Sequence, residues 1–456
     1  MAFSDFIFSL YLNGMKPGLT NLKITVKTIL QRLILTLQLY GENGLANHAA
    51  ACAYGFLLSI APMLLLIVFF IFLVFKPSPR FIVSLIGNIP FLDVIFDESL
   101  LSSDFFSAAK PGISGVISVV SLFWAARILA LAMQRGLKII FPSTKRRNPV
   151  VDTLVSLAVE AVVLIFVLTA IVGSRTALRF YRFLDFFHDV SILNIAVSQI
   201  GNSFFFVVLL GLVAFFAYLF VPVNSPRKFS AFQGTLFFVI ACFCLAMVLG
   251  VILDISKYNL LYGTLGNLVI LLVNVYFYFI FFFLGAQFAY VIDSFDALLF
   301  SKLRQITTKA ANENERPGLM YNLFDPAESK LKKYLHYYKK SEIIISQGDA
   351  GNEIYYLLKG EVEILLPSSP DTGDSAGVLK GGSFFGEMGY LLSEDRTATV
   401  RAKTDVSVFV LPPVLFDAVL QHDKSLDRDI IEHITRRLKN ANEQIVSLKS
   451  EALPYE

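Results

Sequence analysis

Arg396 lies nine positions beyond Glu387, and the segment they bound has the residue types for binding an anion and a sugar. It reads Phe385-Gly386-Glu387-Met388-Gly389-Tyr390, then Arg396-Thr397-Ala398 after a short apolar and acidic stretch. A turn glycine lets successive backbone N–H groups converge on an anion. An Arg presents a planar fork that fits two phosphate oxygens, and a carboxylate such as Glu387 accepts hydrogen bonds from sugar hydroxyls. One phosphate and one ribose describe the pocket, with Phe385, Gly386, Glu387, Met388, Arg396, Thr397 and Ala398 as its candidate lining. The alternative is a fold that keeps the segment for packing alone.

In the form Phe-Gly-Glu…Arg-Thr-Ala, the segment resembles the phosphate-binding cassette of cyclic nucleotide-binding domains. Gly348…Gly351…Tyr355…Gly360-Glu361-Val362 resembles the other signature of those domains. The resemblance implies a C-terminal β-roll with flanking helices, cAMP or cGMP as a regulatory ligand, and a terminal helix that caps the purine. The Thr397 hydroxyl suits a purine amino group and leans toward tolerance of guanine. Around the cassette, Ile354 to Leu358 and Val362 to Leu365 read as a hairpin about Lys359-Gly360. Thr399 to Ala402 and Val406 to Leu411 read as returning strands. A helix over 427–448 would align Ile430, Ile434, Leu438, Ile445 and Leu448, a stripe that simple docking on the roll explains equally well.

The remainder of the chain must place that pocket. It is 55% hydrophobic and only 16% charged, against about 25% charged residues in ordinary soluble domains. The apolar excess lies in residues 1–300, which carry 19 Lys and Arg against 13 Asp and Glu; residues 301–456 carry 20 against 23. A lipid-embedded part and an ordinary soluble part follow. The slight basicity comes from loops and points to no nucleic-acid partner. Met1 to Leu12 lacks the basic start of a cleavable signal. Cys52, Cys242 and Cys244 lie in apolar sequence, as reduced thiols do, and the five histidines lack metal-ligand spacing.

Six stretches reach the roughly 20 apolar residues of a bilayer-spanning helix: 54–75, 112–138, 151–173, 203–223, 231–253 and 266–292. The expected fold is therefore an α-helical polytopic membrane domain of about six transmembrane helices plus the β-roll. Weaker apolar helices near 80–96 and 177–200 suit the outer interface. Residues 20–40 repeat Leu22, Val26, Ile29, Leu33 and Leu37 with Lys23, Lys27 and Arg32 between them, the pattern of a helix lying in the membrane interface. Lys and Arg gather before the first span, at 145–147, at Arg227-Lys228 and after the last span. That bias places both termini in the cytoplasm, although Arg175, Arg179 and Arg182 run against it.

Several polar residues fall inside the spans. Arg127, Gln134 and Lys138 share one face of the second, and Glu160 sits at similar depth in the third, so Arg127 and Glu160 are candidates for an inward-facing pair. Pro62 breaks the first span's hydrogen-bond ladder, with Ser59 placed to satisfy the freed carbonyl. Asn274, Tyr278, Phe281 and Gly285 share a face of the last span and read first as a helix-packing seam.

Ala49-Ala50-Ala51…Leu57-Leu58-Ser59-Ile60-Ala61-Pro62 and Phe123-Trp124-Ala125-Ala126-Arg127 resemble the YihY/BrkB family of inner-membrane proteins, historically labelled ribonuclease BN-like. So do Phe220-Val221-Pro222 with Arg227, and Tyr262-Gly263-Thr264-Leu265 leading to Leu284-Gly285-Ala286. Asn274 stands where the family usually has Trp, and Gln287 where it usually has Glu. The resemblance implies a bacterial envelope-integrity protein, a transporter of lipid or solute under nucleotide control; the alternative is a membrane-anchored nucleotide sensor or scaffold without transport. A ribonuclease is set aside, since no carboxylate or histidine cluster has the spacing for a catalytic metal pair. The expected domains are 1–300, a polar linker at 301–324 and 325–456, and assembly as a homo-oligomer is left open.

Overall fold

The structure is a computed structural model and describes residues 20–58, most of 113–159, 209–252, 264–313, most of 322–365, 375–423 and scattered positions from 426 to 443. The chain forms two compact units, one of residues 34–293 and one of residues 1–33 with 294–456.

In the 34–293 unit the described elements are helices. Helix α1 (Thr20–Glu42) enters it at residue 34, followed by α2 (Leu45–Leu58), α3 (Ile113–Ile140), α4 (Leu209–Phe220), α5 (Lys228–Ile252) and α6 (Thr264–Asp293). Helices α5 and α6 are apolar nearly all round, the composition of helices surrounded by apolar material. They cross at two glycines. A Cβ on Gly234 would lie 2.5 Å from the Gly285 carbonyl oxygen, and one on Gly285 would lie 2.8 Å from that of Gly234. Close backbone approach through small residues is how apolar helices associate without a hydrophobic driving force. The seam expected around Gly285 is therefore a packing surface, closed by the Tyr218 hydroxyl, which donates to the Phe282 carbonyl at 2.6 Å.

Two helices among the described residues are long and apolar enough to cross a membrane, within Lys228–Leu245 and Leu271–Asp293. Of the other expected spans, 112–138 is the helix Ile113–Ile140, and 203–223 contributes the shorter Leu209–Phe220. The stretches 54–75 and 151–173 lie largely outside the described residues.

The second unit holds helix α7 (Phe295–Glu313), a 3-10 turn (Lys330–Tyr334) and strands β1 (Leu335–Tyr338), β2 (Ile343–Ile345), β3 (Ile354–Lys359), β4 (Glu361–Leu365), β5 (Ser375–Lys380) and β6 (Phe384–Phe385). Helix α8 (Glu387–Leu392), β7 (Thr399–Ala402), β8 (Val406–Leu411) and α9 (Pro413–His422) complete it. The strands form two four-stranded antiparallel sheets, ordered β1-β8-β3-β6 and β2-β7-β4-β5. Leu357, Val362, Phe385 and Val408 are buried together in the roll.

Two expectations are corrected here. Strands β3 and β4 do not form a hairpin; β3 pairs with β8 and β6, while β4 pairs with β5 and β7. The Lys359-Gly360 turn carries the chain from one sheet to the other. A Cβ on Gly360 would lie 2.6 Å from the Asp405 carbonyl oxygen, so the change of sheet needs a residue without one.

The expected linker at 301–324 is the second correction. Its first half continues α7, which packs on the roll. Phe300 is fully buried, edge-on to Tyr356 and Phe409 with ring centroids 5.4 Å away in both cases. Leu303 is buried, and Arg304 donates to Asp423 Oδ2 through Nη2 at 2.8 Å and Nε at 3.2 Å. Ser301 adds a third donor to the same oxygen at 3.0 Å. The stretch looked polar because its exposed face is charged; the spacing of Phe300 and Leu303 is what buries it.

Burial lowers the His422 pKa from 6.5 to about 4, because the charged imidazolium is poorly solvated there. The folded chain stays neutral at this residue while the unfolded chain takes up a proton, so stability falls as pH drops from about 6.5 toward 4. Urea titrations across that window should lose at most about 3 kcal/mol from this residue. His422→Gln should flatten the dependence. The described positions between 426 and 443 are helical, in keeping with the expected terminal helix; Ile431 among them is exposed.

Candidate functional site

The cassette is built where β6 runs into α8. Strand β6 pairs with β3, opposing Tyr355 to Phe385 and Tyr356 to Phe384, and the Tyr355 and Phe385 rings stack at 5.1 Å. Gly386 then turns the chain at φ +77°, and a Cβ there would lie 2.9 Å from Tyr355 Cδ2 and 3.0 Å from Arg396 Nη1. Only glycine suits both the left-handed backbone and that approach. Glu387 follows, buried at 3% exposure, with Met388 exposed beside it. The first-turn N–H groups of α8 have no partner within the helix itself.

Arg396 is the centre of the site. Its backbone is fixed by the turn after β2: its N–H donates to the Asp349 carbonyl at 3.0 Å, and its own carbonyl accepts from Gly348 N–H at 2.8 Å. Its guanidinium is almost wholly buried. Nη1 donates to the Gly386 carbonyl at 2.8 Å, and Nη2 donates to the Glu353 carbonyl at 3.0 Å and to Glu353 Oε2 at 3.2 Å. Its Cζ lies 5.4 Å from the Tyr355 ring centroid, continuing the stack of Tyr355 on Phe385. Cβ atoms added to Gly351 or Gly389 would come within 3.0 Å and 3.3 Å of the guanidinium nitrogens. Gly351 from one sequence signature and Gly386 and Gly389 from the other thus surround one cation.

The predicted residues divide accordingly. Gly386 and Arg396 are brought into direct contact, and Phe385 reaches Arg396 through the Tyr355 ring. Glu387 is buried on the adjoining helical turn. Thr397 is exposed and Ala398 half-buried at the approach to β7. Glu353 was missed by sequence reasoning; the available signal was an acid two residues after Gly351, at the mouth of β3. Its carboxylate holds the fork that a phosphate would take, and its side chain is 47% exposed. An anionic ligand must compete with it. Exposed pairs contribute about 0.2–1 kcal/mol, so Glu353→Gln should tighten nucleotide binding by up to about fivefold in calorimetry, with the gain shrinking at high salt.

The intramembrane candidates are scattered. Arg127 is half-buried on α3, and its Nε makes no hydrogen bond among the described residues. Gln134 Nε2 donates to the Asp152 carbonyl at 3.5 Å, and Asn274 is half-buried on α6. Glu160, Ser59 and Pro62 lie outside the described residues, so the Arg127–Glu160 pair is not in view. Gln287 is fully buried, and its Oε1 accepts from Asn43 Nδ2 at 3.2 Å. Asn43 carried no signal in the sequence. Arg227 and Ser230 both donate to Asp293 Oδ1, at 2.6 Å and 3.1 Å, tying the start of α5 to the end of α6.

A two-sheet roll with a glycine-walled arginine and a buried glutamate defines a cyclic nucleotide-binding domain, and the cyclic nucleotide-binding domain model matches residues 335–423. The Virulence factor BrkB model matches residues 36–301, more than half of the chain, and the protein belongs to that family. Among curated proteins, the cAMP-activated global transcriptional regulator CRP of Salmonella typhimurium is 28% identical over 116 residues, 25% of this chain and 55% of that protein. A putative potassium channel protein of Rhodopseudomonas palustris is 29% identical over 115 residues, 25% of this chain and 27% of that protein. The chain spans about half the length of the curated regulators it matches. Among solved structures, the EAL enzyme Bd1971 in its half-site-occupied form is 28% identical with a TM-score of 0.19, covering 24% of this chain and 96% of that one. The Thermus thermophilus catabolite activator protein is 24% identical with a TM-score of 0.24, covering 26% and 56%.

Proposed function

We propose that this is an inner-membrane protein whose helical unit moves a lipid or small solute under the control of cAMP or cGMP bound to a cytoplasmic β-roll. Arg396 would hold the phosphate and Glu387 the ribose, with Gly386 keeping the turn between them free of side chain. The nucleotide is a regulatory ligand and the ribonuclease label of the family does not apply. Loop cations such as Arg147 and Arg227 favour a multi-pass arrangement with both termini in the cytoplasm.

The observation that carries the reading is Phe300. Helix α7 begins two residues after α6 ends, with Ser294 alone between them, and it seats Phe300 in the aromatic core of the nucleotide domain. A rearrangement of the roll therefore acts on a helix covalently continuous with an apolar, membrane-length one. Nucleotide shifts that helix only by the difference in its affinity for two states, commonly about 1–3 kcal/mol.

Flux of labelled lipids and solutes in reconstituted vesicles tests it. Flux should change with nucleotide, half-maximally at the concentration that half-fills the site. Full occupancy without any change of flux would overturn transport control and leave the sensor or scaffold reading.

A further inference from the structure

Helix α1 is turned the wrong way for a water-soluble surface. In the part belonging to the second unit, its buried residues are polar: Thr28 is 8% exposed and Gln31 1%, with Gln31 Nε2 donating to the Leu323 carbonyl at 2.8 Å. Its exposed residues are apolar: Val26 is 36% exposed, Ile29 47% and Leu30 37%. At 100° per residue these three share an arc of about 100°, a complete apolar face directed outward.

Beside this face lies a cluster of cations. Arg32 Cζ is 5.0 Å and Lys330 Nζ 5.8 Å from the centroid of one ring, that of Phe295. Lys332 and Lys333 follow on the 3-10 turn, and both are exposed. Among the described residues, Asp296 pairs with Lys333 at 2.7 Å and also faces Arg32. Among these described residues, four cations face one carboxylate. An apolar helical face flanked by cations matches a membrane interface, where acyl chains take the first and lipid phosphates the second. Phe295 is also where the chain leaves the membrane-length helix α6, two residues earlier.

We propose that this face is a docking surface for anionic phospholipid. Val26, Ile29 and Leu30 lie among the acyl chains, and Arg32 and Lys330 bind a headgroup phosphate over the Phe295 ring. The inference rests on the membrane reading of the helical unit and adds a lipid site on the nucleotide-binding unit.

The test uses the full chain, with Cys244→Ser to remove the exposed native thiol, in bilayer discs of phosphatidylcholine with or without phosphatidylglycerol. A spin label at Ile29→Cys should be relaxed by oxygen rather than by a water-soluble nickel chelate, as should a control label at Ile240→Cys on α5. Retention of phosphatidylglycerol, read by native mass spectrometry, should weaken about fivefold for each charge removed in Arg32→Gln and Lys330→Gln. Inorganic phosphate and glycerophosphate should not displace the lipid.

Water access at residue 29 with lipid access at residue 240 would overturn the docking surface alone; water access at both would overturn the membrane reading with it. Spin–spin broadening at residue 29 would assign the face to a second copy of the chain. Unchanged lipid retention in the charge variants, or displacement by free phosphate, would remove the headgroup site.

Discussion

Arg304→Met lowers the stability of the nucleotide-binding unit by about 3–5 kcal/mol, the usual cost of stranding one member of a buried ion pair. The side chains of Arg304 and Asp423 are 6% and 2% exposed, and Asp423 Oδ2 accepts from Arg304 Nη2, Arg304 Nε and Ser301 Oγ together. Without the guanidinium, a carboxylate remains in a site closed to water with two of its charged donor groups gone. The double replacement Arg304→Met, Asp423→Leu removes both charges and should cost clearly less than the two single changes added together. Urea unfolding of the four chains, followed by fluorescence, gives the comparison. A single-variant loss below about 1 kcal/mol, or strict additivity, would mean the pair is open to solvent.

Under the proposed nucleotide control, the same pair would also carry signalling. It joins α7, which continues from α6, to the end of α9, which packs on the roll through Leu415, Phe416 and Val419. In the double variant the domain should fold and bind nucleotide while the response of the membrane unit weakens. That outcome separates the joint's role in coupling from its role in stability.

Much of this arrangement was legible in the residues because local chemistry leaves few options. Gly386 and Arg396 announce the site because a left-handed turn and a planar fork each demand one residue type. Phe300 was harder to read. An aromatic at the end of the run Ala297-Leu298-Leu299 reads as more of the preceding apolar helix until Tyr356 and Phe409 are seen closing around it, and neither is near in sequence. The missing β3–β4 hairpin has a similar cause. A Lys-Gly turn between two apolar runs looks the same whether the chain returns along one sheet or crosses to another; the strands that decide it, β7 and β8, lie some forty residues on. Glu353 was overlooked because an exposed acid beside a turn is usually solvated, and its approach to Arg396 depends on tertiary contacts.

Gln287 teaches the converse. The departure from the family's usual Glu stood out in the sequence, but its consequence depends on Asn43. An amide oxygen there accepts from Asn43 Nδ2 without placing a net charge in a fully buried position. A carboxylate at the same place would have to be neutralised or paired, at a cost of several kcal/mol. This member therefore holds the end of α6 against the α1–α2 turn with a neutral contact.

Arg396→Lys should remove at least about half, and up to nearly all, of the stabilisation of the chain by cyclic nucleotide. Lysine keeps the charge but not the fork, and it cannot hold the Gly386 and Glu353 carbonyls while also meeting a phosphate. Loss of a charge-assisted contact of about 1.5–3 kcal/mol raises Kd roughly 10- to 100-fold. A ligand at 100 times Kd stabilises the wild type by about 2.7 kcal/mol; after a 100-fold loss of affinity the same concentration contributes about 0.4 kcal/mol. The variant should also be weaker without ligand, because Nη1 and Nη2 fasten the cassette to β3. The difference between melts with and without nucleotide is therefore the decisive quantity, more than either melting temperature alone. Glu387→Gln, which keeps the shape and loses the charge, should show a smaller deficit confined to the ligand-bound melt. If cAMP and cGMP stabilise Arg396→Lys as much as wild type, Arg396 is a packing residue and the nucleotide, if bound, sits elsewhere.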